Sequence, residues 1–257
     1  NVAAAEPEPE VLFVGAHHGF EKPSYEVCLY FIEYMVDNYR NASTPEVGSA
    51  INTTQIYVLP MLNPDGVDAG VRKNCAPNHG FFGRNPQVTS YGVDLNRNYG
   101  YLWYRFFVLY PLYCGSTSCV DSSSGYRGPW AFSENETRAL KQFVDTHDIK
   151  ISISYHTYGE LVLYPWGYTI KPPKDKPVFV SIGENITAID DYYTFQSIRL
   201  YATIGDLCDW MYGTHGILAF TIEMGKSYAP DDPQVVRDLC VTHTRVNLYI
   251  CQRAQTL

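Results

Sequence analysis

The chain has 257 residues, 46% of them apolar and 15% aromatic, with 22 tyrosines and a formal charge of −8. That length suits one α/β domain with a substantial core, and no apolar run approaches a membrane span. The acidic balance, with no basic block, excludes nucleic acid as an expected partner.

No Gly/Ser linker, internal repeat or low-complexity block divides the sequence, so residues 1–257 are expected to form a single domain, with 1–10 as an Ala/Glu/Pro-rich lead-in. The chain begins with Asn1 instead of Met, and removal of a preceding piece is expected. Seven cysteines cannot all pair within one chain. Cys114 and Cys119 flank a short Gly-Ser-Thr-Ser turn and form the expected disulfide. Cys240 and Cys251 share one expected helix and lie too far apart along it to bond. Four Asn-x-Ser/Thr sequons, at Asn41, Asn52, Asn135 and Asn185, fit a secreted glycoprotein, which is the expected location.

In chain order, Val11–Val14 reads as a buried strand that breaks at Gly15-Ala16 and delivers His17, His18 and Glu21 into a turn. Pro23 to Asn41 follows as a helix, proline suiting its first turn and Val27, Leu29, Tyr30, Phe31, Tyr34 and Met35 supplying a broad apolar face. Gln55–Leu62 is the next strand, closed by the turn Asn63-Pro64-Asp65-Gly66. Residues 67–132 read as mostly irregular, and loops of that length in a compact domain tend to be functional. Ser133 and Glu136 have capping-box spacing and open a helix to about His147. Ile149–His156 alternates as a strand ending on a histidine. Val178–Asp191 is a helix, Ile217–Met224 an apolar strand carrying Glu223 near its end, and Asp231–Arg253 a long terminal helix. The expected fold class is α/β, a mixed central sheet with helices on both faces.

The chemistry gathers at strand ends, where open α/β sheets keep their ligands. His18-Gly19-Phe20-Glu21 has the form His-x-x-Glu, whose imidazole and carboxylate can both reach one ion at about 2.0–2.2 Å. His17 does not fit this spacing, because Phe20 stands three residues beyond it. His156 closes a second strand and Glu223 lies near the end of a third. Two histidines and one carboxylate with an open fourth position make a catalytic zinc arrangement, not a closed structural one. A carboxylate in an apolar strand is costly without a partner or a task, which makes Glu223 a candidate general base. Taken singly, a backbone-bonded histidine or an arginine-paired glutamate would explain each residue. Their joint occurrence with His-x-x-Glu favours the metal site.

At these residues the chain resembles the zinc metallocarboxypeptidases of the carboxypeptidase A, B and T type. The resemblance runs from about Glu10 through the terminal helix and rests on ordered motifs: GAHHGFEKPS, LNPDGV, VRKN, GVDLNRNY, YRGPWAFSENET, SYHTYGELVLYPWGY, LYATIGDLCDW and FTIEMG. It implies one zinc ion per chain held by His18, Glu21 and His156, with Glu223 as general base and Arg72 polarising the scissile carbonyl. It implies that Asn96 and Arg97 hold the substrate's terminal carboxylate while Tyr201 closes over it. The implied substrates are peptide and protein C-termini, with no nucleic acid or membrane partner. The side-chain pocket is expected around Cys208 and Leu163, uncharged walls that favour apolar or aromatic C-terminal residues. Asp206 could admit a basic side chain, but pairing with Arg199 at the rim is the expected arrangement.

Three departures stand out. Phe20 replaces an arginine that assists outer subsites in the family, and the stretch 100–127 looks enlarged with aromatics that are expected to pack on themselves. The family's first helix and two strands are absent before Val11, leaving an expected sheet of about six strands. Its open edge could take up the removed N-terminal segment or a second copy of the chain. Two other readings share this fold: an amidase trimming γ-glutamyl or cell-wall peptides, and an inactive peptide-binding module. The carboxylate clamp of Asn96, Arg97 and Tyr201 favours the plain exopeptidase, and an inactive module should have lost Glu223 or a metal ligand.

Overall fold

The computed structural model describes residues 8–74, 92–105, 117 and 123–257. Six strands form one sheet: β1 (Glu10–Val14), β2 (Gln55–Leu59), β3 (Ile149–His156), β4 (Leu161–Tyr164), β5 (Tyr193–Gln196) and β6 (Leu218–Glu223). The order across the sheet is β2-β1-β3-β6-β4-β5. The first four in that order run parallel, and β4 turns antiparallel to β6 with β5 parallel to it. The mixed sheet and its α/β class are those expected from the sequence.

The alternation of side chains along each strand gives this sheet two cores. On one face Val11 and Phe13 of β1, with Ile151, Ile153 and Tyr155 of β3, pack against α1 (Lys22–Asn38), α2 (Pro45–Thr53), α5 (Lys176–Asp190) and α7 (Pro233–Ala254). On the other, Leu12 and Val14 meet Leu140 and Val144 of α4 (Asn135–Val144) and Leu207 and Trp210 of α6 (Leu207–Trp210). Helices on both faces bury the central strands β1 and β3 almost wholly, and one face of β3 places the polar Ser152, Ser154 and His156 inside. Among the described residues no helix is long and apolar enough to cross a membrane.

The sequence reading and the structure differ in several places. The turn after β2 winds into a short helix, α3 (Pro64–Ala69), because the Asn63 side chain accepts from the Gly66 N–H at 2.9 Å and caps it. Helix α2 and strands β4 and β5 were not expected. The capping box at Ser133 does not form: the N-cap of α4 is Glu134, Ser133 Oγ donates to Glu134 Oε1 at 2.6 Å, and Glu136 accepts from Asn74 Nδ2 at 3.2 Å.

Candidate active site

The site sits where β1, β3 and β6 end together, on the sheet face that carries α4 and α6. Beyond Val14 the chain turns through Ala16, at φ 53°, and Ser24 pins the turn by accepting from Ala16 N at 3.1 Å and donating to Glu21 O at 2.6 Å. Gly19 is required within it, since a Cβ there would collide with the backbone of Gly66. Asn63 Nδ2 donates to His17 O at 3.0 Å and ties this turn to the start of α3.

The fold brings His18, Glu21 and His156 together, all buried, with one ligand atom from each lying within 4.8 Å of the others. His18 Nδ1 lies 2.7 Å from Glu21 Oε1, and His156 Nδ1 lies 3.0 Å from Glu21 Oε2. The two Nδ1 atoms are 3.3 Å apart. Two imidazole nitrogens aimed at one carboxylate and at each other form a donor set that a divalent cation satisfies, and N₂O is a zinc ligand set. On its far side His18 Nε2 meets Asp94 Oδ1 at 3.1 Å, a bond that places the proton on Nε2 and leaves the Nδ1 lone pair for a metal.

Asp94, fully buried, serves several groups at once. Its Oδ2 accepts from Arg72 Nε at 2.9 Å and from a second guanidinium nitrogen at 2.9 Å, while its Oδ1 also accepts from Asn96 N at 3.0 Å. Burial works to raise its pKa, but Arg72, His18 and Arg97 outweigh it and hold this carboxyl well below the usual range. In the same way burial opposes ionisation of Glu21, and His18 and His156 reverse the balance and lower its pKa. Burial lowers the His17 pKa, and neighbouring His156 and His18 push it further down, so that ring is neutral.

Glu223 is paired in register with His156 on the neighbouring strand, so its side chain lies on the same sheet face as His156. Burial and the negative Glu21 push its carboxyl up to about 8, against the pull of His18, Arg72 and Arg97. The structure also groups the proposed carboxylate clamp. Arg97, almost fully buried, donates to Asn96 O at 2.6 Å and lies 5.9 Å from the ring centroid of the exposed Tyr201. Asn96 Oδ1 is fixed by Leu207 N at 3.0 Å.

Cys208 Sγ lies 3.1 Å from Thr221 Oγ1, and Leu163 is in register with that same threonine, so the three form one uncharged patch. Asp206 stands elsewhere in chemistry. It is the N-cap of α6, accepting from Asp209 N at 2.9 Å and from Thr203 Oγ1 at 2.9 Å. Arg199 rests over the Phe195 ring at 5.4 Å, and no ion pair joins it to Asp206 among the described residues. The expected rim pairing is therefore replaced by two local arrangements. Phe20 is edge-on to Tyr228 at 4.9 Å, and Tyr158 meets the same ring at 4.8 Å, an aromatic rim beside His18.

Of the 100–127 aromatics, Tyr101 stacks on Trp166 at 5.1 Å and Trp103 lies under the Arg127 guanidinium at 3.7 Å. Tyr101 thus packs outside its own stretch, contrary to the expectation of self-packing, whereas Trp103 meets Tyr104 at 5.1 Å within it, as expected. Phe106, Phe107, Tyr110 and Tyr113 lie outside the described residues, as do Cys114 and Cys119 with their expected disulfide. Cys28, Cys208, Cys240 and Cys251 are free thiols.

The zinc carboxypeptidase family model matches residues 2–237. The zinc carboxypeptidase of Saccharothrix mutabilis subsp. capreolus is 33% identical over 251 residues, covering 90% of this chain and 53% of that protein. Mast cell carboxypeptidase A of Rattus norvegicus is 30% identical over 230 residues, covering 82% of this chain and 51% of its own. Among solved structures, thrombin activatable fibrinolysis inhibitor superposes with a TM-score of 0.82 at 21% identity, over 99% of this chain and 64% of that one. The chain belongs to the zinc carboxypeptidase family. It spans about half the length of the curated relatives it matches.

Proposed function

We propose that this chain is a zinc-dependent carboxypeptidase that removes C-terminal residues from peptides and proteins, apolar and aromatic residues ahead of basic ones. The observation that carries the reading is the convergence of His18, Glu21 and His156, with Glu223 beside His156 on the next strand. Those three residues would hold a zinc ion, which would supply Lewis acidity toward water and a carbonyl. Glu223 takes the proton of the attacking water and gives it to the leaving amine. Its carboxyl, pushed up to about 8 by burial and Glu21, is drawn back toward the base form by a nearby cation.

Arg72, held by Asp94, offers a fixed positive charge to the developing oxyanion. The planar fork of Arg97 suits a terminal carboxylate, which Lys could not grip in the same two-pronged way. Asn96 assists it, and Tyr201 closes over the bound end. Leu163, Cys208 and Thr221 line the side-chain pocket, and Asp206 is already occupied by two donors, which supports the apolar preference. The rim of Phe20, Tyr158 and Tyr228 offers apolar contact to the residue before the scissile bond. A secreted glycoprotein is the location this reading favours, supported by the exposure of Asn41, Asn52, Asn135 and Asn185.

The test is release of the last residue from matched peptides ending in Phe, Leu, Arg and Phe-amide. Higher kcat/KM for Phe and Leu than for Arg, with no release from the amide, is expected. Cleavage of the amide, or a preference for Arg, would overturn the exopeptidase or the specificity reading respectively.

A further inference from the structure

His17 cannot join the metal ligands, yet it is fully buried beside them. Its ring stacks on His156 at 5.3 Å with planes 23° apart. Both its nitrogens have partners: Nδ1 lies 3.2 Å from Ser154 Oγ, and Nε2 lies 2.9 Å from Tyr99 Oη. Ser154 Oγ is in turn 3.1 Å from His156 Nε2.

The direction of each bond in this chain follows from the metal site. His156 turns Nδ1 toward Glu21 and His18, so as a ligand atom Nδ1 keeps its lone pair and the proton resides on Nε2. That proton goes to Ser154 Oγ. Asn96 Nδ2, 3.3 Å away, cannot take it, being a donor whose amide is oriented by the bond from Leu207 N to Asn96 Oδ1. Having accepted from His156, the serine donates its own hydrogen to His17 Nδ1. His17 then carries its proton on Nε2 and donates it to Tyr99.

We infer that His17 is a positioning residue that acts through Ser154, holding His156 in the tautomer and orientation that present Nδ1 to the metal. Without an acceptor at His17 Nδ1, the serine hydroxyl is free to rotate and donate to His156 Nε2. That stabilises the opposite tautomer, whose protonated Nδ1 cannot bind a metal ion. Second partners of this kind change metal affinity by about 10–100-fold.

The inference rests on the zinc site proposed above, and its test reads metal affinity directly. Zinc binding is measured by competition with a chromophoric chelator on wild type, His17→Asn, His17→Gln and Ser154→Ala, with the unfolding temperature of each metal-free protein recorded. Asn can place an oxygen near the position of Nδ1, whereas Gln reaches only the Nε2 end. Expected are a loss of about 10–100-fold in affinity for His17→Gln and Ser154→Ala, no further loss in the double variant, and near-wild-type affinity for His17→Asn. Equal losses in the Asn and Gln variants that follow their unfolding temperatures would reduce His17 to a packing role and overturn the inference. Unchanged affinity in His17→Gln and Ser154→Ala would overturn it as well, leaving the zinc site standing. A wild-type chain that binds no zinc would remove the site reading itself.

Discussion

Two sets of buried histidines lie on opposite faces of the same sheet. His18 and His156 sit at the strand ends with their Nδ1 atoms converging on Glu21 and their Nε2 atoms bonded to Asp94 and Ser154. His243, on α7, is buried between the rings of Tyr155 at 5.5 Å and Tyr192 at 5.4 Å, and neither of its nitrogens has a hydrogen-bond partner among the described residues. Burial acts on all three and opposes the charged form of each ring. At His18 the carboxylates of Glu21 and Asp94 reverse the outcome and raise its pKa, whereas at His243 nothing opposes burial and the pKa falls to about 3. Burial therefore does not mark a functional histidine. What marks one is a ring oriented by a partner on one nitrogen while the other faces a shared carboxylate.

The contrast can be broken most severely at Glu223. Glu223→Gln is expected to lower kcat by about 10³-fold or more, as the proton acceptor and its charge are lost together. Zinc affinity should stay near wild type, and His243→Phe should leave kcat within about twofold in the same assay. Near-normal turnover in Glu223→Gln would remove it as the base. Asp94→Asn comes next: it weakens the proton acceptor of His18 and the anchor of Arg72 together. A fall of about 10–100-fold in zinc affinity is expected, and unchanged affinity in a chelator competition would show that the far side of His18 is inert.

The His243 side of the comparison is sharpened by pH. Its folded-state pKa of about 3 lies below the ordinary histidine value, so between those two values the unfolded chain binds a proton that the folded chain does not. Stability is then lost as pH falls from about 6.5 toward about 3. The loss amounts to roughly 2 kcal/mol between about pH 7.5 and pH 5. Urea unfolding at both pH values should show that His243→Phe lacks this share of the acid sensitivity. An identical pH dependence in wild type and variant would show that His243 takes up its proton without unfolding.

The smallest effect is expected at Asp206, an acidic group close to the site whose oxygens are already filled. Asp206→Ala should cost about 1 kcal/mol of stability through loss of a helix cap, with the Phe-to-Arg ratio of kcat/KM unchanged within about twofold. A large shift in that ratio would show that its charge reaches the pocket.

The candidate metal ligands and Glu223 were legible because each stands at a strand end or in the four-residue motif His-x-x-Glu, and β3 could be bounded from its alternation alone. Arg72, Asn96, Arg97 and Tyr201 came only from resemblance, since an arginine or tyrosine in a loop carries no local signal of what it faces. The shared role of Asp94 was missed, its partner His18 being 76 residues away. The helix cap at Ser133 failed because tertiary bonding draws Glu136 to Asn74. Helix α2 lacks a broad apolar stripe, and β5 is four residues at a sheet edge with only Gln196 buried. Neither carries enough periodicity to be read. Spacing sets His17 aside as a ligand, but its bonds to Ser154 and Tyr99 connect segments that only the fold brings together.

Peptide turnover is expected to depend on one zinc ion held by His18, Glu21 and His156. The direct measurement is to strip the protein with a chelator, verify the metal content by elemental analysis, and return zinc stepwise while following residue release from a peptide ending in Phe. No release is expected from the stripped protein, with a linear recovery that levels off at one zinc per chain. Undiminished release from verified metal-free protein would contradict it.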